Sequence, residues 1–286
     1  MGDLICHRQT PDARKTWRAW HIPVSVSGIM RQIGYGTAGF GISREERFRP
    51  GTGEWAFVST LVQGRAAFGA FMRMTTPDWP DFYFARHGET DWNRERRYQG
   101  SMDIPLNRVG QLQADANGVL LRQLLKQDGV DPASLNWFAS PLSRASETMD
   151  RMRAAFDVEL PPVIHDPRLI EISFGDFEGM LHAEVAQKYA ALSPGERDES
   201  YWAFRPNGGE NYDDVSARLV DFAHDLTHQA VVVAHGGVLR VLRHLVEGAP
   251  RGDVLNWPPP QGVIAHFAKG RMTLHAAENS WDSASA

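Results

Sequence analysis

A single cysteine, Cys6, in 286 residues leaves no partner for an internal disulfide and no thiolate set for a zinc site. This fits a reducing compartment and a cytoplasmic setting. Long apolar runs are missing too: no stretch reaches the roughly 18 residues that cross a bilayer, and Arg65 interrupts the best candidate, between Trp55 and Met72. The start lacks a basic stretch followed by about 7–15 apolar residues, so no secretory signal is expected. With a formal net charge of only −5, the composition points to neither a nucleic-acid nor a membrane partner. Carboxylates with metal-site spacing are absent, and the His224/His228 pair has no third ligand nearby and reads as a solvated helix end. No metal or other cofactor is expected.

The charge that is present is unevenly spread. Through Thr75, ten Lys and Arg stand against five Asp and Glu, a local +5 that leaves −10 for the remainder. Glycines between Gly34 and Gly53 break the apolar clusters of this leader. Glu45, Glu46 and Glu54, and the lack of a Ser-rich amphipathic helix, argue against a transit peptide or a nucleic-acid arm. Residues 1–78 are read as a poorly ordered extension or a mis-assigned start, since Met72 and Met74 lie just ahead of the main domain. That domain is expected over residues 79–278, with a frayed tail at residues 279–286. A content of 42% hydrophobic residues is enough for one sizeable core.

The domain opens on Phe82, Tyr83 and Phe84, an aromatic run with strand character that ends abruptly in Arg86-His87-Gly88-Glu89. A strand stopping at a cation, an imidazole and a glycine is how open α/β sheets present a ligand site. Val231 to Val233 repeats the pattern, running into His235-Gly236-Gly237. Between them Trp137 to Ala139 leads to Ser140-Pro141, a helix start that brings Arg144 close to a strand end. Glu171 is embedded among Leu169, Ile170 and Ile172. Two histidines, two arginines and a half-buried acid make a phosphate site.

Helical spacing predicts helices from Asn107 to a break at Asp131-Pro132, and over Ser143 to Phe156, Met180 to Leu192, Asn211 to Thr227 and Val238 to Val246. Val163-Ile164 reads as an edge strand, and Ile264 to Phe267 with Met272 to Leu274 as a closing hairpin. The alternation predicts a three-layer α/β/α fold with a mostly parallel central sheet. Tyr201, Trp202 and Phe204, in the polar stretch Ser193 to Arg205, either pack that stretch onto the body or line a pocket.

These motifs together resemble the histidine phosphatase superfamily over roughly residues 80–275. The resemblance rests on Arg86-His87-Gly88-Glu89-Thr90 with Trp92-Asn93, and on Tyr98-Gln99-Gly100 with Asp103 and Pro105-Leu106. It continues through Ser140-Pro141-Leu142 with Arg144, Glu171 with Phe174-Gly175, Gly208-Gly209-Glu210 and Ala234-His235-Gly236-Gly237. It implies a metal-independent phosphomonoesterase of the phosphoglycerate mutase-like phosphatase branch, acting on a small phosphorylated substrate through a phosphohistidine. His87 would be the nucleophile, its other ring nitrogen donating to a backbone carbonyl. Arg86 and Arg144 would offer guanidinium forks to the phosphate, with His235 as imidazolium and Asn93 as a neutral donor. Glu171, its pKa raised by apolar neighbours, would act as acid and then base. Gln99, Gly100 and Glu210 would sit at the rim. The alternatives are mutase-type transfer and a non-catalytic phospho-ligand module. Which ester is cleaved, and the oligomeric state, stay open.

Overall fold

The computed structural model describes residues 44–48, 55–59, 79–189, 197 and 199–277. The chain divides into two units, Met1–Arg73 and Met74–Ala286. In the first, β1 (Arg44–Phe48) and β2 (Trp55–Ser59) pair antiparallel with Arg44 opposite Ser59, an addition to the extension read from the sequence. The remainder of that extension, and the tail expected at residues 279–286, lie outside the described residues.

The second unit is built on six strands: β3 (Phe82–Arg86), β4 (Asn136–Ala139), β5 (Val163–His165), β6 (Ala230–Ala234), β7 (Val263–Ala268) and β8 (Arg271–Ala276). Their order is β5-β4-β6-β3-β7-β8. The first four run parallel, and the closing hairpin adds β7 and β8 antiparallel on the β3 side. Alternate strand residues serve opposite layers, as the two-residue period requires. Phe82, Phe84, Phe138 and Val232 face one cluster, while Tyr83, Ala85, Trp137 and Val231 face the other.

Eight α-helices complete the described unit: α1 (Asp91–Arg94), α2 (Arg108–Asp128), α3 (Ser143–Arg153), α4 (His182–Lys188), α5 (Glu199–Ala203), α6 (Tyr212–Asp225), α7 (Gly236–Glu247) and α8 (Arg251–Asn256). Leu121 and Leu125 of α2 and Met149 and Met152 of α3 fill one layer. Val215, Leu219 and Phe222 of α6 and Val238, Val241 and Leu242 of α7 fill the other, which gives the expected α/β/α sandwich.

Boundaries depart from the sequence reading where local chemistry intervenes. Helix α2 stops at Gly129, whose φ of 68° is left-handed and which closes the helix two residues before Asp131-Pro132. Those residues instead open a short 3-10 turn, Pro132–Ser134, with the Asp131 carboxylate accepting from Ala133 N–H. Helix α6 starts at a capping box between Asn211 and Asp214. Helix α8 has no counterpart in the sequence reading, and the last residues expected in the 180–192 helix fall outside the described ones. Trp202, fully buried, packs 5.1 Å from Tyr212 between ring centroids, so the aromatic insert is anchored to the body.

Candidate active site

Parallel register brings three strand ends to one edge of the sheet. Arg86 lies opposite Ala234, and Ala139 lies opposite Val233. Beyond them, His87 N–H donates to Ala234 O at 2.9 Å and Ser140 N–H donates to Val233 O at 2.9 Å. The ladder therefore continues one residue past each strand and fixes where the His87 and His235 rings project. Their centroids are 5.1 Å apart, and both residues are buried.

Each ring is held by one nitrogen. His87 Nδ1 is 2.7 Å from Gly88 O; a carbonyl only accepts, so Nδ1 carries the proton and Nε2 keeps its lone pair. His235 Nε2 is 2.7 Å from Ser140 Oγ, while its Nδ1 is buried without a partner. Arg144 enters from the first turn of α3, wholly buried. Its terminal nitrogens donate to Met102 O at 2.6 Å and Gly100 O at 2.8 Å. The fork expected to face phosphate is thus partly spent on the 100–102 loop, and its Nε is buried and unpartnered. Arg86 donates to Pro259 O at 2.7 Å, and its Nε is likewise buried and unpartnered.

Burial and positive neighbours set the charge state. His87 is pushed well below the usual histidine range by burial, then by Arg144 and Arg86. His235 is lowered in the same way, by burial first and then by Arg144, His87 and Arg86. Burial first, and then the guanidinium groups, therefore disfavour the imidazolium expected of His235 while the site holds no anion. Burial also brings Arg86 down to about 10, with Glu171 opposing.

These residues surround a cavity of about 260 Å³ whose wall includes Arg86, His87, Asn93, Gln99, Gly100, Arg144 and Glu171. His235, fully buried, is not on that wall and adjoins it through the His87 ring. Asn93 Oδ1 accepts from Thr90 N–H at 3.1 Å and from Gln261 Nε2 at 3.2 Å, so the amide nitrogen is what Asn93 has to offer a ligand. Gln99 Oε1 accepts from Thr90 Oγ1 at 3.0 Å. Gly100, with φ of 52°, packs against Glu178 and presents its carbonyl to Arg144.

Two placements correct the sequence reading. Glu171 does not sit among apolar side chains. Leu169 and Ile172 turn into the core, while the Glu171 carboxylate accepts from Gly237 N–H at 2.9 and 3.1 Å and from Ile172 N–H at 3.0 Å. The start of α7 thus holds it, where free N–H groups favour a negative side chain. Glu210, expected at the rim, is not on this cavity's wall but lines an adjoining pocket with Tyr98, Phe174, Tyr201 and Tyr212. It bonds Ser173 N–H and pairs with Arg218 at 3.2 Å, bracing the segment behind the site.

The sequence reading missed Arg197, Arg240, His182, Tyr212 and Gln261, which also line the cavity. Arg240 carried a usable signal: it is four residues after Gly236 on α7, and i, i+4 positions share a helix face. Arg197 carried none, since the folded body alone brings it to the site.

The fold and this site together define an α/β enzyme of phosphoryl chemistry. The sequence profile of the histidine phosphatase superfamily (branch 1) matches residues 82–279, and the chain belongs to that superfamily. It is 34% identical over 190 residues to the glucosyl-3-phosphoglycerate phosphatase of Mycolicibacterium vanbaalenii, covering 62% of this chain and 77% of the relative. It is 30% identical over 186 residues to the metal-independent phosphoserine phosphatase of Arabidopsis thaliana, covering 62% and 73%. Among solved structures, YhfR of Bacillus stearothermophilus aligns with a TM-score of 0.54 at 29% identity, covering 69% of this chain and 96% of that one. No helix among the described residues is long and apolar enough to cross a membrane.

Proposed function

We propose that the protein hydrolyses a small phosphomonoester without a metal, through a phosphohistidine at His87. The observation that carries this reading is the set of three buried polar atoms without partners, Arg86 Nε, Arg144 Nε and His235 Nδ1, on groups that converge around His87. Each buried unpaired polar group costs about 1–3 kcal/mol, a cost a phosphate's oxygens would offset.

In the first step His87 Nε2, neutral and aimed by Gly88, attacks phosphorus as the P–O ester bond breaks. Glu171, which takes up a proton when the phosphate dianion binds beside it, gives that proton to the leaving oxygen. In the second, Glu171 takes a proton from water as the water oxygen attacks phosphorus, the P–N bond breaks, and orthophosphate leaves. Arg86 and Arg144 stabilise the equatorial charge. The dianion's own charge favours the imidazolium form of His235, which then donates from Nδ1, while Ser140 holds Nε2. Relatives named for glucosyl-3-phosphoglycerate and phosphoserine support a small phosphorylated metabolite as substrate. The lone Cys6 supports a cytoplasmic setting.

Phosphate release from a panel of small phosphomonoesters in EDTA tests the proposal. His87→Ala is expected to lower turnover by about 10³-fold or more. Release that survives this substitution, or that needs a divalent ion, overturns the mechanism. Interconversion of phosphoglycerates without release would make the protein a mutase.

A further inference from the structure

The cavity holds more positive charge than one phosphate uses. Six arginines, Arg86, Arg96, Arg97, Arg144, Arg197 and Arg240, share its wall with a single carboxylate, Glu171. Arg86 and Arg144 belong to the phosphate floor. Arg97 is paired with Glu95 at 2.6 Å, and Arg96 is exposed to solvent. Arg197 and Arg240 remain.

Both are held in place, and neither is neutralised by a carboxylate among the described residues. Arg197 is nearly buried, and Asn256 clamps its backbone, accepting its N–H at 3.1 Å and donating to its carbonyl at 2.8 Å. Its guanidinium lies 4.6 Å over the Tyr201 ring, and its Nε is buried without a partner. Arg240 is fixed by Nε donating to Trp257 O at 3.2 Å, and it too lines the cavity. Neither has a carboxylate within ion-pair distance among the described residues. The two act on the same space: after burial, Arg197 and Arg240 are the main causes that bring His182 down to about 4. A buried guanidinium without a counter-ion is costly, and a planar fork matches a carboxylate.

We propose that Arg197 and Arg240 form a second anion subsite, so that the preferred substrate is a small phosphomonoester carrying a carboxylate on its leaving-group side. The inference rests on the phosphatase reading and deepens it.

A matched pair of esters tests it. 3-Phosphoglycerate and glycerol 3-phosphate differ only in a carboxylate against a hydroxymethyl group. The native protein is expected to favour the first by about tenfold or more in kcat/KM, as a charge-assisted hydrogen bond allows. In Arg197→Met and Arg240→Met the ratio is expected to fall toward one, whereas a merely structural loss would lower both rates and leave the ratio intact. A ratio near one in the native protein, or a ratio unchanged in both variants, overturns the subsite. Absence of phosphate release from every ester would overturn the phosphatase reading instead. Calorimetric binding of the same pair to His87→Ala reads the subsite without turnover, with the same preference expected and equal affinities counting against it.

Discussion

The carboxylate of Glu171 and the backbone N–H of Gly237 meet at 2.9 and 3.1 Å, which ties the proposed proton carrier to the helix that follows His235. A Cβ at position 237 would lie 2.4 Å from Glu171 Oε1 and 2.9 Å from Ile172 Cγ2. Gly237→Ala is therefore expected to displace the carboxylate and lower kcat on alkyl phosphates by about 10²-fold, the scale of a 1 Å misplacement. An aryl phosphate, whose leaving group needs little protonation, should lose far less. Equal losses on p-nitrophenyl phosphate and an alkyl ester would count against Glu171 as the proton carrier.

Ser140 fixes the second histidine. Its Oγ also accepts from Leu142 N–H at 3.4 Å, which leaves the hydroxyl hydrogen free for His235 Nε2 at 2.7 Å. Ser140→Ala leaves both His235 nitrogens unpaired in a buried place, and a fall in kcat/KM of about tenfold is expected, from a cost of about 1–3 kcal/mol. Steady-state kinetics beside a melting curve would separate this from general destabilisation.

Stability should fall in mild acid. His87 and His235 are depressed well below the usual range, and His182 lies at about 4. The unfolded chain takes up these protons near pH 6.5 while the folded one does not, so unfolding gains protons and stability drops as pH falls below about 6.5. Melting temperature measured from pH 7.5 to 5 should decline, and more shallowly in His235→Gln. A flat profile in the native protein would refute the buried neutral pair.

Gly88 and Gly110 touch through their backbones. A Cβ on Gly88 would stand 2.2 Å from Gly110 O, and one on Gly110 would stand 2.1 Å from Glu89 O. Because the neighbour is main chain, neither can swing aside. Gly88→Ala is expected to cost about 1–3 kcal/mol or more in denaturant unfolding. A loss below about 0.5 kcal/mol would show that the loop relaxes.

Much of the site was legible because its signals are local. A buried strand ending in His-Gly is written in consecutive residues, and two such strands in one parallel sheet must open at the same edge. The periodicity of Val215, Leu219 and Phe222 likewise placed α6 on the sheet without reference to anything distant. Helix ends were less legible, as at Gly129, where one left-handed residue outranked the proline that follows.

Partners far apart in sequence were decided only by the tertiary structure. Glu171 looked desolvated because its neighbours are apolar, yet Leu169 and Ile172 face the core and a helix start 66 residues away receives its carboxylate. Glu210, read as a rim residue, lines a pocket beside the cavity and pairs there with Arg218, eight residues on. Arg197 carried no signal and reaches the cavity through Asn256, 59 residues distant. Strand period and strand-end chemistry are short-range, so consecutive residues were enough to read the fold class and the histidines and arginines that meet at one edge of the sheet. Tertiary structure decided the charge states and the second group of arginines, because burial and electrostatic fields depend on what the whole chain brings together.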